Sequence, residues 1–167
     1  TQNTPFGWTC PGWDFYWGWS PAATPWIIQN VYEYYEYTVD LVVLKEKIYP
    51  IMRESLLYYQ KTLVYDKESG RMLSVPAYSP EHGPITKGNT YEQSLIWQLY
   101  KDTLHAARVL KAEDDDTLSE WEDTFIKLKP IEVGAAGQIK EWYGETKLGR
   151  LGKKRVRHYE KKHRHLS

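Results

Sequence analysis

Apolar residues that recur at three- and four-residue steps are the feature that most constrains the fold of this chain. The longest such series follows Asp40 and consists of Leu41, Leu44, Ile48, Ile51, Ser55, Tyr59 and Leu63. Side chains at this spacing share one face of an α-helix, so the pattern predicts a long helix with Asp40 as its N-cap. Pro50 lies inside it and should kink or divide the helix, because proline has no N–H to donate.

Three further segments predict helices by the same pattern. The first begins with Thr24 as N-cap and Pro25 at the first helical position, and runs to about residue 37. The others span about residues 91–110 and about 117–127, with Asp116 or Thr117 capping the last one. Four helices in a chain with few strand signals predict a mainly α fold.

The connection between Asp66 and Asn89 is long and rich in turn residues, with one short strand expected at Arg71–Val75. Long connections without regular structure are usually functional in compact domains. This one carries the segment Ser79-Pro80-Glu81-His82-Gly83, which places a carboxylate on a loop bounded by proline and glycine. The sequence therefore points to Glu81 as a candidate catalytic acid.

Aromatic side chains make up 15% of the chain and are concentrated in residues 1–23, where Gly and Pro separate the rings. Such a segment cannot form a regular helix and suits a loop that points rings into a cleft. Aromatic faces pack against the apolar C–H face of a sugar ring, and a carboxylic acid held at the glycosidic bond cleaves it. Both requirements of a glycosidase are present in the sequence.

The composition, 41% hydrophobic and 26% charged residues, is that of a soluble globular protein. The longest apolar runs fall far short of the roughly 20 residues that a membrane helix needs, so no membrane span is expected. Cys10 is the single cysteine and is predicted to be a small buried apolar residue. We expect no cofactor, and the residues indicate no particular cellular location.

Residues 147–165 are strongly basic, with nine Lys or Arg against Glu160. We interpret this stretch as a solvated loop and expect no nucleic acid partner, because no nucleic-acid motif accompanies it; an RNA-binding element would show steeply salt-dependent binding. His163 and His165, with His158 nearby, have the spacing of a zinc-binding pair. We do not expect a metal there.

Three motifs, in their order and rough spacing, carry a resemblance to a known family. They are Trp17-Gly18-Trp19-Ser20-Pro21-Ala22-Ala23, Tyr78-Ser79-Pro80-Glu81-His82-Gly83 and His163-Arg164-His165-Leu166-Ser167. The connecting pieces 48–52, 88–94 and 138–142 fit as well, so the similarity extends over nearly the whole chain. The chain resembles the catalytic domain of the α-L-fucosidases of glycoside hydrolase family 95.

The resemblance implies an inverting exo-hydrolase of terminal α-1,2-linked L-fucose, built on an (α/α)6 toroid, with Glu81 as the general acid. Burial against Trp17 or Trp19 would raise the pKa of Glu81 and keep it protonated. The family's water-activating asparagines and their partner aspartate lie outside the matched part. Asp14, Asn30 and Asn89 do not lie in the corresponding motif, so no base is assigned.

The resemblance also implies that the His-Arg-His segment lines the sugar site. We expect His163 or His165 to contact the substrate, with Trp17, Trp19 and His82 as further binding residues; Arg164 in a structural ion pair and one buried neutral histidine is the alternative. An α-L-galactosidase of the same family and a non-catalytic carbohydrate-binding helical module also remain open. The binding module predicts that Glu81→Gln leaves activity intact.

The helix count bears on the extent of the domain. A toroid of six hairpins needs about twelve helices, so we expect a partial toroid: an aromatic lobe at 1–23, helical hairpins at 24–130, and a loop region at 131–167. Its helices should expose apolar faces to missing neighbours. The expected partners are a fucosylated oligosaccharide and the remainder of the parent catalytic domain. The expected localisation, secreted or cell-surface, is suggested by the family alone.

Overall fold

The computed structural model describes residues 21–77, 85–135 and 137–145. In chain order the elements are α1 (Ala23–Thr38), α2 (Leu41–Val43), a π-helical turn (Leu44–Ile48), α3 (Tyr49–Thr62), β1 (Val64–Asp66), β2 (Arg71–Leu73), α4 (Thr90–Leu110) and α5 (Asp115–Lys127). The prediction of a mainly α fold is confirmed.

The start of α1 differs from the prediction. The N-cap is Ala22 rather than Thr24, and no side chain caps the helix. Pro25 therefore lies inside the first turn instead of at the first helical position. A proline is tolerated there because the first turn's N–H groups have no partner within the helix. Ala22 is fully buried, so packing takes the place of a polar cap.

Asp40 is confirmed as an N-cap, since its carboxylate accepts hydrogen bonds of 3.0 Å from the backbone N–H groups of Val42 and Val43. The predicted division of this helix is also present. The π-helical turn Leu44–Ile48 lies directly before α3, and Pro50 occupies the second position of α3. Proline has no backbone N–H, so one hydrogen bond of the helix is missing here, and the wider π-helical turn accommodates this gap.

The remaining boundaries shift by one or two residues. The strand predicted at Arg71–Val75 ends at Leu73 and pairs antiparallel with β1, which the sequence pattern did not indicate. Asn89 caps α4. The cap of α5 is Asp114, not Asp116 or Thr117, because its carboxylate accepts from the Thr117 N–H at 2.7 Å.

One apolar core joins the helices. Helix α4 contacts α1, α3 and α5, and so lies at the centre of the described structure. The largest fully buried side chains of this core are Leu44, Ile48, Met52, Leu56, Ile96, Leu99, Tyr100 and Trp121. We call α1 to α5 with this core the helical layer.

Several large apolar side chains are nevertheless exposed on the helices. On α1 and just after it they are Trp26, Ile27, Val31, Tyr34, Tyr37, Val39, Leu41 and Val42. Ile27, Val31 and Tyr34 follow a helical spacing and so share one face of α1. This agrees with the expectation of exposed apolar faces. Among the described residues, no helix is long and apolar enough to span a membrane.

Candidate active site

The six predicted site residues all lie outside the described residues. They are Trp17, Trp19, Glu81, His82, His163 and His165. The structure does describe the two chain segments that flank the loop of Glu81. Ala77 and Thr86 form an isolated antiparallel bridge, in which each backbone N–H donates to the other's carbonyl at 2.8 Å. The bridge closes the base of the loop that carries the candidate acid.

Three further hydrogen bonds join the two chain segments that flank this bridge. The Gly88 N–H donates to the Ser74 carbonyl at 2.9 Å. The Ser74 N–H donates to Oε1 of Gln93 at 2.8 Å, and Nε2 of Gln93 donates to the Met72 carbonyl at 3.2 Å. Gln93 is 3% exposed, so these bonds form away from solvent. Its amide thus pairs with β2 and the residue after it as a neighbouring strand would.

Gly88 is required for this geometry. Its φ of +62° lies in the left-handed region, and a Cβ there would stand 2.9 Å from Leu73 Cδ2 and 3.2 Å from Tyr143 Cβ. The Gly88 carbonyl accepts from the Tyr143 N–H at 3.0 Å. A third segment, residues 141–143, therefore packs along the first two.

The same segment meets the start of α4. The Thr90 N–H donates to the Glu141 carbonyl at 2.9 Å, and the Thr90 hydroxyl donates to the Lys140 carbonyl. Asn89 is 1% exposed, and its Oδ1 accepts from the Tyr91 N–H at 2.8 Å and the Glu92 N–H at 3.4 Å. We call residues 72–77, 86–93 and 141–143 together the loop frame.

Charged groups surround Tyr143 on one side of the loop frame. Lys87 Nζ lies 4.9 Å and Lys129 Nζ 4.7 Å from the centre of the Tyr143 ring. Lys87 also donates to Asp66 at 2.7 Å, and this bond, with further bonds from Ser69, holds the pKa of Asp66 well below its usual range. These contacts hold Lys87, the residue before Gly88, against Tyr143 and Asp66.

Glu132 forms an ion pair with Lys129, the second of these lysines. Its carboxylate also accepts from Lys140 Nζ at 2.8 Å. Both bonds lower the pKa of Glu132, that from Lys129 more. The ion pairs therefore link the segment after α5 to residue 140, next to the part of the loop frame that begins at residue 141.

Helix α3 contacts the residues just before α1. The Tyr59 hydroxyl donates to the Pro21 carbonyl at 2.8 Å. The pKa of Tyr59 is raised by burial first and then by the charge of Glu92, so this carboxylate lies near the contact. Glu92 is 1% exposed. A buried carboxylate of the loop frame thus lies near the Tyr59 hydroxyl.

A cleft of about 490 Å³ opens beside Gln93. It is lined by Gln29, Gln93, Ser94, Leu95, Trp97, Gln98, Lys129, Pro130 and Ile131. Apolar walls with a few polar groups are typical of small-molecule sites.

Two candidates for the water-activating base fall within the described residues. Asn30 is exposed on α1, and its Nδ2 donates to the Trp26 carbonyl at 3.0 Å. Asn89 is engaged through Oδ1 in capping α4. Neither arrangement indicates an activated base. Asp14 lies outside the described residues, and no cluster of metal ligands occurs within them.

The family model for the glycosyl hydrolase family 95 catalytic domain matches residues 1–167. The chain belongs to this family. It is 32% identical over 133 residues to probable alpha-fucosidase A of Aspergillus niger, covering 75% of the chain and 17% of that protein. It is 27% identical over 135 residues to alpha-L-fucosidase 2 of Arabidopsis thaliana, covering 75% and 16%. The chain therefore spans about a sixth of the length of these relatives.

Two residues that hold the loop frame, Gln93 and Asn89, were not found from the sequence pattern. Gln93 has no local signal, because a glutamine in the first turn of a helix is ordinary. The cap at Asn89 could have been found, since Asn89 followed three residues later by Glu92 resembles a capping box. The connecting piece 88–94 supplies much of the loop frame.

Proposed function

We propose that this chain is the central part of a catalytic domain that hydrolyses terminal α-1,2-linked L-fucose with inversion, and that Glu81 is the general acid. The observation that carries the proposal is the match of the whole chain to the family, with Glu81 in its Ser-Pro-Glu motif. The loop frame supports it, because a catalytic carboxyl must be held in a defined position. The fucosidase names of the relatives support the substrate.

Glu81 protonates the leaving glycosidic oxygen in this mechanism. In an inverting enzyme a base activates water on the opposite face of the sugar, with the two carboxyl-type groups about 6.5–9.5 Å apart. We place that base outside this chain. Trp17 and Trp19 hold the sugar ring, and His82 and His163 or His165 bind its hydroxyl groups.

The test is release of free L-fucose from 2′-fucosyllactose by the full-length protein. Glu81→Gln should lower kcat/KM by about 10²- to 10⁴-fold, the usual scale of general acid catalysis. Wild-type release by the variant would move the acid elsewhere. Release of L-galactose but not L-fucose from matched substrates would favour the galactosidase variant, and no release by either protein would favour a carbohydrate-binding module.

We further propose that residues 1–167 form part of a toroid completed by other chain segments, with an aromatic lobe at 1–23, hairpins at 24–130 and a loop region at 131–167. The exposed apolar residues of α1 support this, because faces of that kind usually mark a missing partner. The isolated chain should bind sugar weakly and release no fucose. Measurable turnover by purified 1–167 would contradict this proposal.

A further inference from the structure

The side chain of Gln93, on α4, hydrogen-bonds the strand leading into the acid loop on both sides of Leu73. Its Oε1 accepts from the Ser74 N–H at 2.8 Å, and its Nε2 donates to the Met72 carbonyl at 3.2 Å. Both partners are backbone groups, so the contact fixes the path of the main chain rather than one rotamer. Ser74 is itself 7% exposed, so its N–H would lose its hydrogen-bond partner in a largely buried position if the amide were removed.

Gln93 in turn lies on α4, the helix at the centre of the described core. The buried residues Leu95, Ile96 and Leu99 follow it on α4 and belong to or border the core of the helical layer. A group on a packed helix holds its position better than one on a loop. The amide therefore holds the backbone of residues 72–74 in a fixed position relative to the core.

Between Ser74 and Ala77 the described chain is held by two further backbone contacts. Ser74 is held through its carbonyl by Gly88, and the Ala77–Thr86 bridge follows. Glu81 lies four residues beyond Ala77. The chain segments on both sides of this loop are thus joined at Ser74, which is bonded to Gly88 and Gln93.

We infer that Gln93 is a positioning residue for the general acid: its amide sets the strand 72–74 and through it the place of Glu81 against the leaving oxygen. This inference rests on the proposed function of Glu81. In this role Gln93 acts through the main chain and not directly on the reacting atoms. A displacement of about 1 Å in a catalytic group can cost about 10²-fold in rate.

The experiment compares two substrates of the full-length protein. Cleavage of 2′-fucosyllactose needs a proton on the leaving oxygen, whereas α-L-fucosyl fluoride releases fluoride ion, a weak base that needs little proton donation. Gln93→Met should lower kcat/KM on 2′-fucosyllactose by about 10- to 100-fold and leave hydrolysis of the fluoride close to the wild-type rate. Loss of fold integrity would lower both rates together.

Gln60→Met is the matched control. Gln60 also joins two partners through its amide, accepting from the Tyr100 hydroxyl at 2.7 Å and donating to Glu120 at 3.3 Å, but it lies on α3 in the helical layer. It should leave both rates near wild type. Gln93→Asn, which keeps an uncharged amide on a shorter side chain, should show a smaller loss with the same substrate preference, and it serves if Gln93→Met does not fold.

Equal losses of Gln93→Met on both substrates, or rates equal to those of Gln60→Met, would overturn the inference. Glu81→Gln is measured alongside to separate the two claims. If Glu81→Gln retains wild-type activity on 2′-fucosyllactose, the proposed acid is wrong. If Glu81→Gln loses activity on 2′-fucosyllactose alone while Gln93→Met matches wild type, the acid stands and only the role of Gln93 is refuted.

Discussion

The helical layer and the loop frame are held together by different interactions. In the helical layer, buried apolar side chains such as Leu56, Leu99 and Trp121 supply the contacts. In the loop frame, the main contacts are hydrogen bonds to backbone atoms, made by Gln93, Gly88 and segment 141–143. Apolar contacts are non-directional and stabilise the fold, whereas hydrogen bonds have preferred angles and distances that fix a chain path.

The difference implies that the two regions should respond differently to mutation. Damage to the helical layer should reduce the amount of folded protein, with little effect on the activity of each folded molecule. Damage to the loop frame should reduce activity per folded molecule. Variants of the full-length protein separate the two kinds of effect.

Trp121→Ala should have the largest effect on stability. Trp121 is 1% exposed, and removing a buried tryptophan costs about 3–5 kcal/mol in free energy of unfolding. Denaturant unfolding checks the loss, and kcat of the folded fraction should stay near wild type. Glu122→Ala, the neighbouring position, removes only an exposed ion pair with Arg108 and should cost about 1 kcal/mol or less. Similar losses in both variants would contradict the core assignment.

Gly88→Ala should come next and should affect activity as well. The left-handed conformation costs any residue with a Cβ about 1–2 kcal/mol. At this position the Cβ would also clash with Leu73 and Tyr143. Gly70 has a similar φ of +67°, but its nearest neighbour, Tyr65 Oη, is 3.7 Å away. Gly70→Ala should therefore lower the free energy of unfolding by this conformational cost alone and leave kcat/KM unchanged. Equal effects at both glycines would show that the close approach at Gly88 is unimportant.

Asn89→Ala removes the cap of α4 and should cost about 1 kcal/mol. Asp114→Ala removes the cap of α5 and should cost a similar amount. Thermal midpoints measure both losses. The comparison lies in fucose release, which should fall for Asn89→Ala, in the loop frame, and stay unchanged for Asp114→Ala. A fall in both would remove the distinction between the regions.

Asp102→Asn should change mainly the pH dependence of stability. Burial raises the pKa of Asp102, although Gln98 Nε2 donates to both of its carboxylate oxygens, at 2.8 and 2.9 Å. With a raised pKa the folded state binds more protons than the unfolded chain, whose carboxyl titrates near about pH 4. Wild-type stability due to this group is therefore lost as pH rises from the unfolded through the folded pKa.

Asp102→Asn does not lose stability in this way, because asparagine does not ionise, and its amide oxygen still accepts from Gln98. Its thermal midpoint relative to wild type should rise between pH 3 and pH 7. A constant difference across this range would show that Asp102 has an ordinary pKa in the folded protein.

The helical layer could largely be predicted from the sequence, because burial on one helix face leaves a periodic pattern. Asp40 and the division near Pro50 were found this way, since caps and prolines act through local chemistry. The start of α1 was missed because Ala22 is placed by tertiary packing rather than by a side-chain cap.

The loop frame could not be predicted in the same way. The partners Gln93 and Ser74, or Gly88 and Tyr143, are far apart in sequence and meet only in the folded chain. The Ser-Pro-Glu motif drew attention to Glu81 by resemblance, and the chain's family is confirmed. The roles of Glu81, His82, Trp17, Trp19, His163 and His165 stay predictions.

The pH dependence of kcat/KM on 2′-fucosyllactose tests the central claim most directly, with wild type and Glu81→Gln of the full-length protein measured side by side. A general acid must be protonated to act, so wild-type activity should fall as pH rises through the pKa of Glu81. In Glu81→Gln the residual activity should no longer show this alkaline fall. An unchanged alkaline limb in the variant would contradict the account, because another group would then be the acid.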